Sequence, residues 1–315
     1  MTLDTDKLME RRRQRRQAIL WKVVAAILGT ALLAILVMRT TGLDENMGEG
    51  VGAGELFSGK YIARVHIGGI IVEDRYRDEL IQDLKDDDKV KAVIVTINSP
   101  GGTVVGGENL YLGLRTLSEE KPVVAVMGST ATSAAYMTAI AADRIFARQG
   151  TITGSIGVIM QTADVTGLMD KIGVKPETIK SGKLKAQPNP MEPMSGEARE
   201  HLKAVVMDMY DLFLSMVAKR RGLGTLAIKE LADGRVFIGK KALEVGLIDA
   251  IGGETEAIAW LESEKELDTD LPVKDKKPEY PRDDFVDRLI GGFGKALVSE
   301  RLKLDGLLSV WQPDL

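Results

Sequence analysis

With no cysteine among its 315 residues, the chain has no disulfide framework, no Cys-ligated zinc and no thiol nucleophile. Its two histidines, His66 and His201, leave little from which to build a Ser-His-Asp triad or a multi-histidine metal site, and neither a metal nor a cofactor is expected. A formal net charge of -4, with 44% hydrophobic and 28% charged residues, fits a globular enzyme and argues against a nucleic-acid partner, which a basic excess would signal.

The first element is apolar. Residues 18–38, AILWKVVAAILGTALLAILVM, are interrupted only by Lys22, which can reach the headgroups with its amine. About 20 such residues span a bilayer as a helix. Arg11, Arg12, Arg13, Arg15 and Arg16 precede the run, and Asp44, Glu45 and Glu49 follow it. This bias predicts a single-pass anchor with the N-terminus in the cytoplasm and the rest of the chain across the membrane. A cleaved signal peptide fits less well, because the run exceeds an ordinary h-region and no clean A-x-A site follows. The expected organisation is a basic N-terminus (1–17), an anchor (18–38), a stalk (39–59), a catalytic domain (60–263) and a linker with an amphipathic tail (264–315).

From residue 60 strands and helices alternate. Strands are predicted at 60–66, 90–97, 122–127 and 143–147, and helices at 75–87, 106–118 and 133–142. The run VKAVIVTI at 90–97 is nearly all apolar, as in a strand buried on both faces. The longest helix is predicted at 196–221, with Ser195 as N-cap, Gly222 as its stop, and a stripe of Leu202, Val205, Val206, Met209, Leu212, Phe213, Met216 and Val217. The alternation implies an α/β fold with a largely parallel core.

Two motifs follow buried strands, where α/β sheets place their sites. Ile97-Asn98-Ser99-Pro100-Gly101-Gly102 reads as a sharp turn whose amides could hold an anion, or as a plain strand-to-helix connection. Gly128-Ser129-Thr130-Ala131-Thr132-Ser133-Ala134-Ala135-Tyr136 places a serine at the mouth of a small-residue helix, as a nucleophile or as a cap. A serine nucleophile needs a base, and neither histidine comes with a convincing acid partner. A lysine serves if its surroundings lower its pKa from ~10.4 to ~7–8, about 4 kcal/mol of differential interaction. Lys185, in a Gly/Pro-rich segment, is either that base or an ordinary surface lysine.

The ordered set of INSPGG at 97–102, GSTATSAAY at 128–136, TGSIGV at 153–158, TIKSGKLK at 178–185 and ADGRVFIGKKALEVGLID at 232–249 resembles the short, single-domain signal peptide peptidase A family, peptidase family S49 of the Clp protease/crotonase superfamily. The likeness runs from about Tyr61 to Gly253. It implies a Clp protease/crotonase-like α/β core behind one transmembrane helix, with Ser133 as nucleophile and Lys185 as general base. Ser155 would orient the lysine, and backbone amides of Gly101, Gly102 and Ala134 would form the oxyanion hole. It further implies a serine endopeptidase of the bacterial inner membrane, with the catalytic domain on the extracytoplasmic side. Remnant signal peptides and other apolar peptides would be its substrates, and a homo-oligomer would have its sites completed by neighbouring subunits. Where the family has Ser-Gly-Gly, this chain has Ser133-Ala134-Ala135, whose methyls are expected to narrow the pocket; Ala186 stands where an Asp is common. A crotonase-like acyl-CoA enzyme and a non-catalytic scaffold are the alternatives.

The tail is expected to follow a polar linker at 264–284, which when extended at ~3.3 Å per residue reaches up to roughly 70 Å. Beyond it, DGLLSVWQPDL at 305–315 either occupies a substrate groove, its own or a neighbour's, or packs as a short helix on the domain or the membrane.

Overall fold

A computed structural model describes residues 59–280 and 307–310. The predicted anchor at 18–38 lies outside the described residues, as does all of the stalk but its last residue. Among the described residues no helix is long and apolar enough to cross a membrane.

The alternation read from the sequence becomes a repeated strand–helix unit. β1 (Tyr61–Ile71), α1 (Arg75–Asp86), β2 (Val90–Thr103), α2 (Val104–Ser118), β3 (Val123–Thr132), α3 (Ala134–Ala139) and β4 (Arg144–Ala147) follow one another, and each strand pairs in parallel with the one before. Side chains alternate across the sheet. On one face Ala63, Val65, Val93, Val95, Val123 and Ala125 join a core with Leu110, Leu114 and Met137 of the helices. On the other, Ile62, Ala92, Ile94, Val124, Val126 and Phe146 pack on Ala257 and Leu261 of α8 (Glu254–Glu264). Burial on both faces explains the nearly unbroken apolar run of β2, each large side chain contributing about 1.5–3 kcal/mol.

Beyond β4 the elements are shorter. β5 (Ile152–Gly154) continues alongside β3 and pairs antiparallel with β7 (Val236–Ile238). Between them lie β6 (Ile159–Met160), α4 (Thr166–Lys171), α5 (Gly196–Arg221) and α6 (Thr225–Leu231). α7 (Gly239–Glu244) and β8 (Ala250–Ile251) precede α8, then come β9 (Val273–Lys276) and β10 (Leu307–Val310). α5 starts at Ser195, whose Oγ accepts from the Ala198 N–H at 3.1 Å, and stops at left-handed Gly222, as its sequence predicts.

Three expectations need correction. The INSPGG motif is not a turn: β2 runs through it to Thr103, because β1 stays paired to Gly101 and Gly102 through Ile70 and Ile71. Its helix begins only at Val104, capped by Thr103. Nor is 264–284 a free linker throughout, since β9 joins β1 in parallel, Arg64 binds Asp275 and Glu254, and the Tyr280 hydroxyl donates to Asp74. Finally, only the C-terminal half of the α5 stripe (Phe213, Leu214, Met216, Val217) is buried; Met207 and Leu212 are exposed, as the helix runs past the edge of the core.

Candidate active site

The hinge between β3 and α3 is one residue, Ser133. Its φ of 58° and ψ of -121° lie where an L-residue is strained, at a cost on the order of 1–3 kcal/mol that the surroundings must sustain. They do so tightly. The Ser133 N–H donates to Gly154 O at 2.9 Å, and its carbonyl accepts from the Met137 N–H at 2.9 Å. Hydroxyls pin the flanking backbone: Thr132 Oγ1 donates to Pro100 O (3.0 Å), Thr153 Oγ1 to Ala131 O (2.8 Å) and Thr151 Oγ1 to Gly128 O (2.7 Å). Only 1% of Ser133 is exposed, against the ordinary preference of a serine for the surface.

Behind the serine, α3 is wholly buried and anchored at its far side. Tyr136 donates to Leu247 O at 2.8 Å, and burial pushes its phenol pKa well above the usual range. Arg221 grips both oxygens of Asp249, whose Oδ2 also accepts from the Ile145 N–H. Ala134 and Ala135 have no exposed surface, so their methyls point into the packing and do not narrow a pocket. Gly107 of α2 makes the room: a Cβ there would lie 2.9 Å from that of Ala134. As first residue of α3, Ala134 carries one of the N–H groups that a helix leaves unmatched.

The paired strand is equally close-fitted. A Cβ on Gly102 would stand 1.7 Å from Ile71 O, so no side chain is possible there. Ser99, buried and given no role by the sequence reading, donates to Gly69 O at 2.6 Å and accepts from the Gly101 N–H at 3.1 Å. The Gly101 amide is thereby engaged within its own strand. The signal for Ser99 was its place before Pro100, where a short hydroxyl can bond the backbone two residues on.

Ser155 follows Gly154, which pairs with Thr132, so β3 and β5 deliver Ser133 and Ser155 side by side. Ser155 is also left-handed (φ 51°) and buried, its N–H held by Arg235 O at 2.9 Å. Gly154 permits this by its own positive φ and by a close approach of Phe237, which a Cβ would meet at 2.8 Å. Lys185 is different. It lies with Ser181–Ala186 on an exposed segment, braced nearby by an ion pair of Lys180 with Glu192 and a hydrogen bond from Gln187 to the same carboxylate. The structure thus gathers Ser133, Ser155, Gly102 and Ala134 at one end of the sheet and leaves Lys185 in solvent.

A family model described as peptidase family S49 matches residues 115–268. A protein of Methanocaldococcus jannaschii named "Putative protease" is 36% identical over 78% of this chain and 80% of its own length. The "Putative signal peptide peptidase SppA" of Enterococcus faecium is 32% identical over 82% and 84%. The chloroplastic serine protease SPPA of Arabidopsis thaliana is 34% identical over 73% of this chain, but over 34% of its own length. Among solved structures, a ClpP1 mutant from Listeria monocytogenes covers 65% of this chain at 18% identity and a TM-score of 0.41.

Proposed function

Since the chain belongs to peptidase family S49 and is a serine peptidase, we propose that it cleaves remnant signal peptides and other apolar peptides at a membrane surface through a Ser133/Lys185 dyad. The observation that carries this reading is the conformation of Ser133: a buried, strained serine between a strand and the first amides of a helix. Strain of that kind persists where a side chain must be aimed.

In this mechanism Lys185 Nζ takes the Ser133 Oγ proton as Oγ bonds to the peptide carbonyl carbon. The oxyanion is held by backbone N–H groups of Gly102 and Ala134. The lysine then gives its proton to the departing amine as the C–N bond breaks, and water repeats the sequence to release the acid. Ser155, next to Ser133, holds the lysine amine in line. The exposure of Lys185, together with exposed Leu168, Ile172, Val174 and Ile179 around it, supports completion of each site by a neighbouring copy in a homo-oligomer. We extend the reading to a Clp protease/crotonase-like core behind a helix at 18–38, with the catalytic domain on the extracytoplasmic side of a bacterial inner membrane.

The test is hydrolysis of an apolar peptide amide by the detergent-solubilised chain and by Ser133→Ala. A loss of at least about 10³ in kcat is expected in the variant. Activity of the parent should climb as pH rises above neutrality, since a lysine base fills its neutral form only there. Equal rates with and without the Ser133 hydroxyl would remove the serine from the mechanism.

A further inference from the structure

A strand has two hydrogen-bonding edges. At the end of β2 one edge belongs to β1, through Ile70 opposite Gly101 and Ile71 opposite Gly102. β3 takes the other edge, but only as far as Ser99 opposite Ala131, because it then turns through Ser133 into α3. From Gly101 to Thr103 the second edge is left to another strand. β10 fills it in antiparallel register, with Leu308 opposite Thr103, Ser309 opposite Gly102 and Val310 opposite Gly101. Its far edge pairs with β6 through Leu307 opposite Met160 and Leu308 opposite Ile159. An extended segment of this chain therefore lies between two strands where the sheet opens beside the nucleophile. The register also fixes its direction. The backbone runs from Leu308 toward Val310, hence toward Pro100, whose carbonyl accepts from Thr132, the neighbour of Ser133.

The base of the tether is on the same side of the molecule. Tyr280 donates to Asp74 at 2.7 Å and sets its ring edge-on to Tyr76, with centroids 5.2 Å apart. Asp74 caps α1 just beyond Ile71, the residue of β1 that pairs with Gly102. Residues 281–306 thus leave from the end of β1 that borders the slot β10 enters.

We propose that β10 is a built-in competitor that occupies the strand position of a substrate peptide, with the Tyr280–Asp74 contact fixing where its tether begins. The proposal rests on the serine peptidase reading and adds to it the control of the same site by residues 307–310. A segment tethered at an effective concentration on the order of 1 mM, with an intrinsic affinity of about 0.1 mM, would keep the slot about nine-tenths occupied and raise KM about tenfold.

Two measurements test it. A labelled peptide of residues 305–315 is titrated into Ser133→Ala protein, either complete or ending at residue 299, and its anisotropy is read. This arm does not depend on catalysis. Saturable binding to the shortened protein and at least about fivefold weaker binding to the complete one are expected. Equal binding to both, or to neither, overturns the proposal even if the peptidase reading stands. In the hydrolysis arm, removal of residues 300–315 and the substitution Ser309→Pro, which deletes a strand N–H, each lower KM several-fold with kcat little changed. Tyr280→Phe gives a smaller fall in KM. Unchanged KM in a folded truncation overturns the competitor, whereas a rate that survives Ser133→Ala overturns the peptidase reading itself.

Discussion

The turn that carries Ser133 and the segment that carries Lys185 are built by opposite means. The first is buried, and every backbone group named around it has a partner: Gly154 O for Ser133, Pro100 O for Thr132, Arg235 O for Ser155. The second is exposed from Ser181 to Ala186, with apolar neighbours such as Ile179 that are 94% exposed. A nucleophile must be aimed before substrate arrives, and rigidity supplies the aim. A lysine base must be dry, and an exposed segment becomes dry only when something covers it. The comparison places preorganisation on one side of the site and assembly on the other.

Substituting a glycine on each side should break the symmetry most visibly. Gly102→Ala drives a methyl into Ile71 O and is expected to cost at least about 3 kcal/mol and most of the activity. Gly182→Ala, whose added methyl meets nothing within 4 Å, should leave the thermal midpoint within about 0.5 kcal/mol of the parent. Paired melting curves check both, and equal effects would remove the contrast.

A smaller effect is expected at the anchor behind α3. Tyr136→Phe strands the buried Leu247 carbonyl and should cost about 1–3 kcal/mol, or roughly 2–4 °C of Tm for each kcal/mol. A decline in kcat beyond what unfolding explains would show that the anchor also aims Ser133.

The smallest lies far from the site, where Arg64 holds β9. Its hydrogen bond keeps the Asp275 carboxyl below the usual range. A depressed folded pKa gives stability that is complete above the unfolded value of about 3.9 and lost as pH falls through the folded one. The Tm difference between the parent and Asp275→Asn should therefore be largest near neutrality and vanish toward about pH 3. A difference that stays constant with pH would assign the contact to packing.

How much of this was legible follows the same division. Strand and helix order could be read because β2 and β3 are buried on both faces and spell that out in Val, Ile and Ala. Ser133 was legible by its place after a buried strand and by its resemblance to the family's motif. The continuation of β2 through Pro100 was not, because proline followed by two glycines is also the composition of a turn; only the pairing with Ile70 and Ile71 decides between them. β9 was hidden for a related reason. Its sequence, VKDK, is polar, and what makes it a strand is a free edge of β1 and the grip of Arg64. The exposed half of α5 shows the converse, an apolar stripe that the chain's own core does not cover.

The central claim is that an aimed serine and an exposed lysine form one site across a subunit boundary. Ser133→Ala and Lys185→Ala proteins, each inactive alone, are mixed in equal amounts in detergent, allowed to exchange subunits, and assayed for peptide hydrolysis. Random mixing should restore about one quarter of the sites, those pairing an intact serine of one subunit with an intact lysine of the next. Full activity of Lys185→Ala alone, or no recovery from mixtures shown to have co-assembled, would contradict the account.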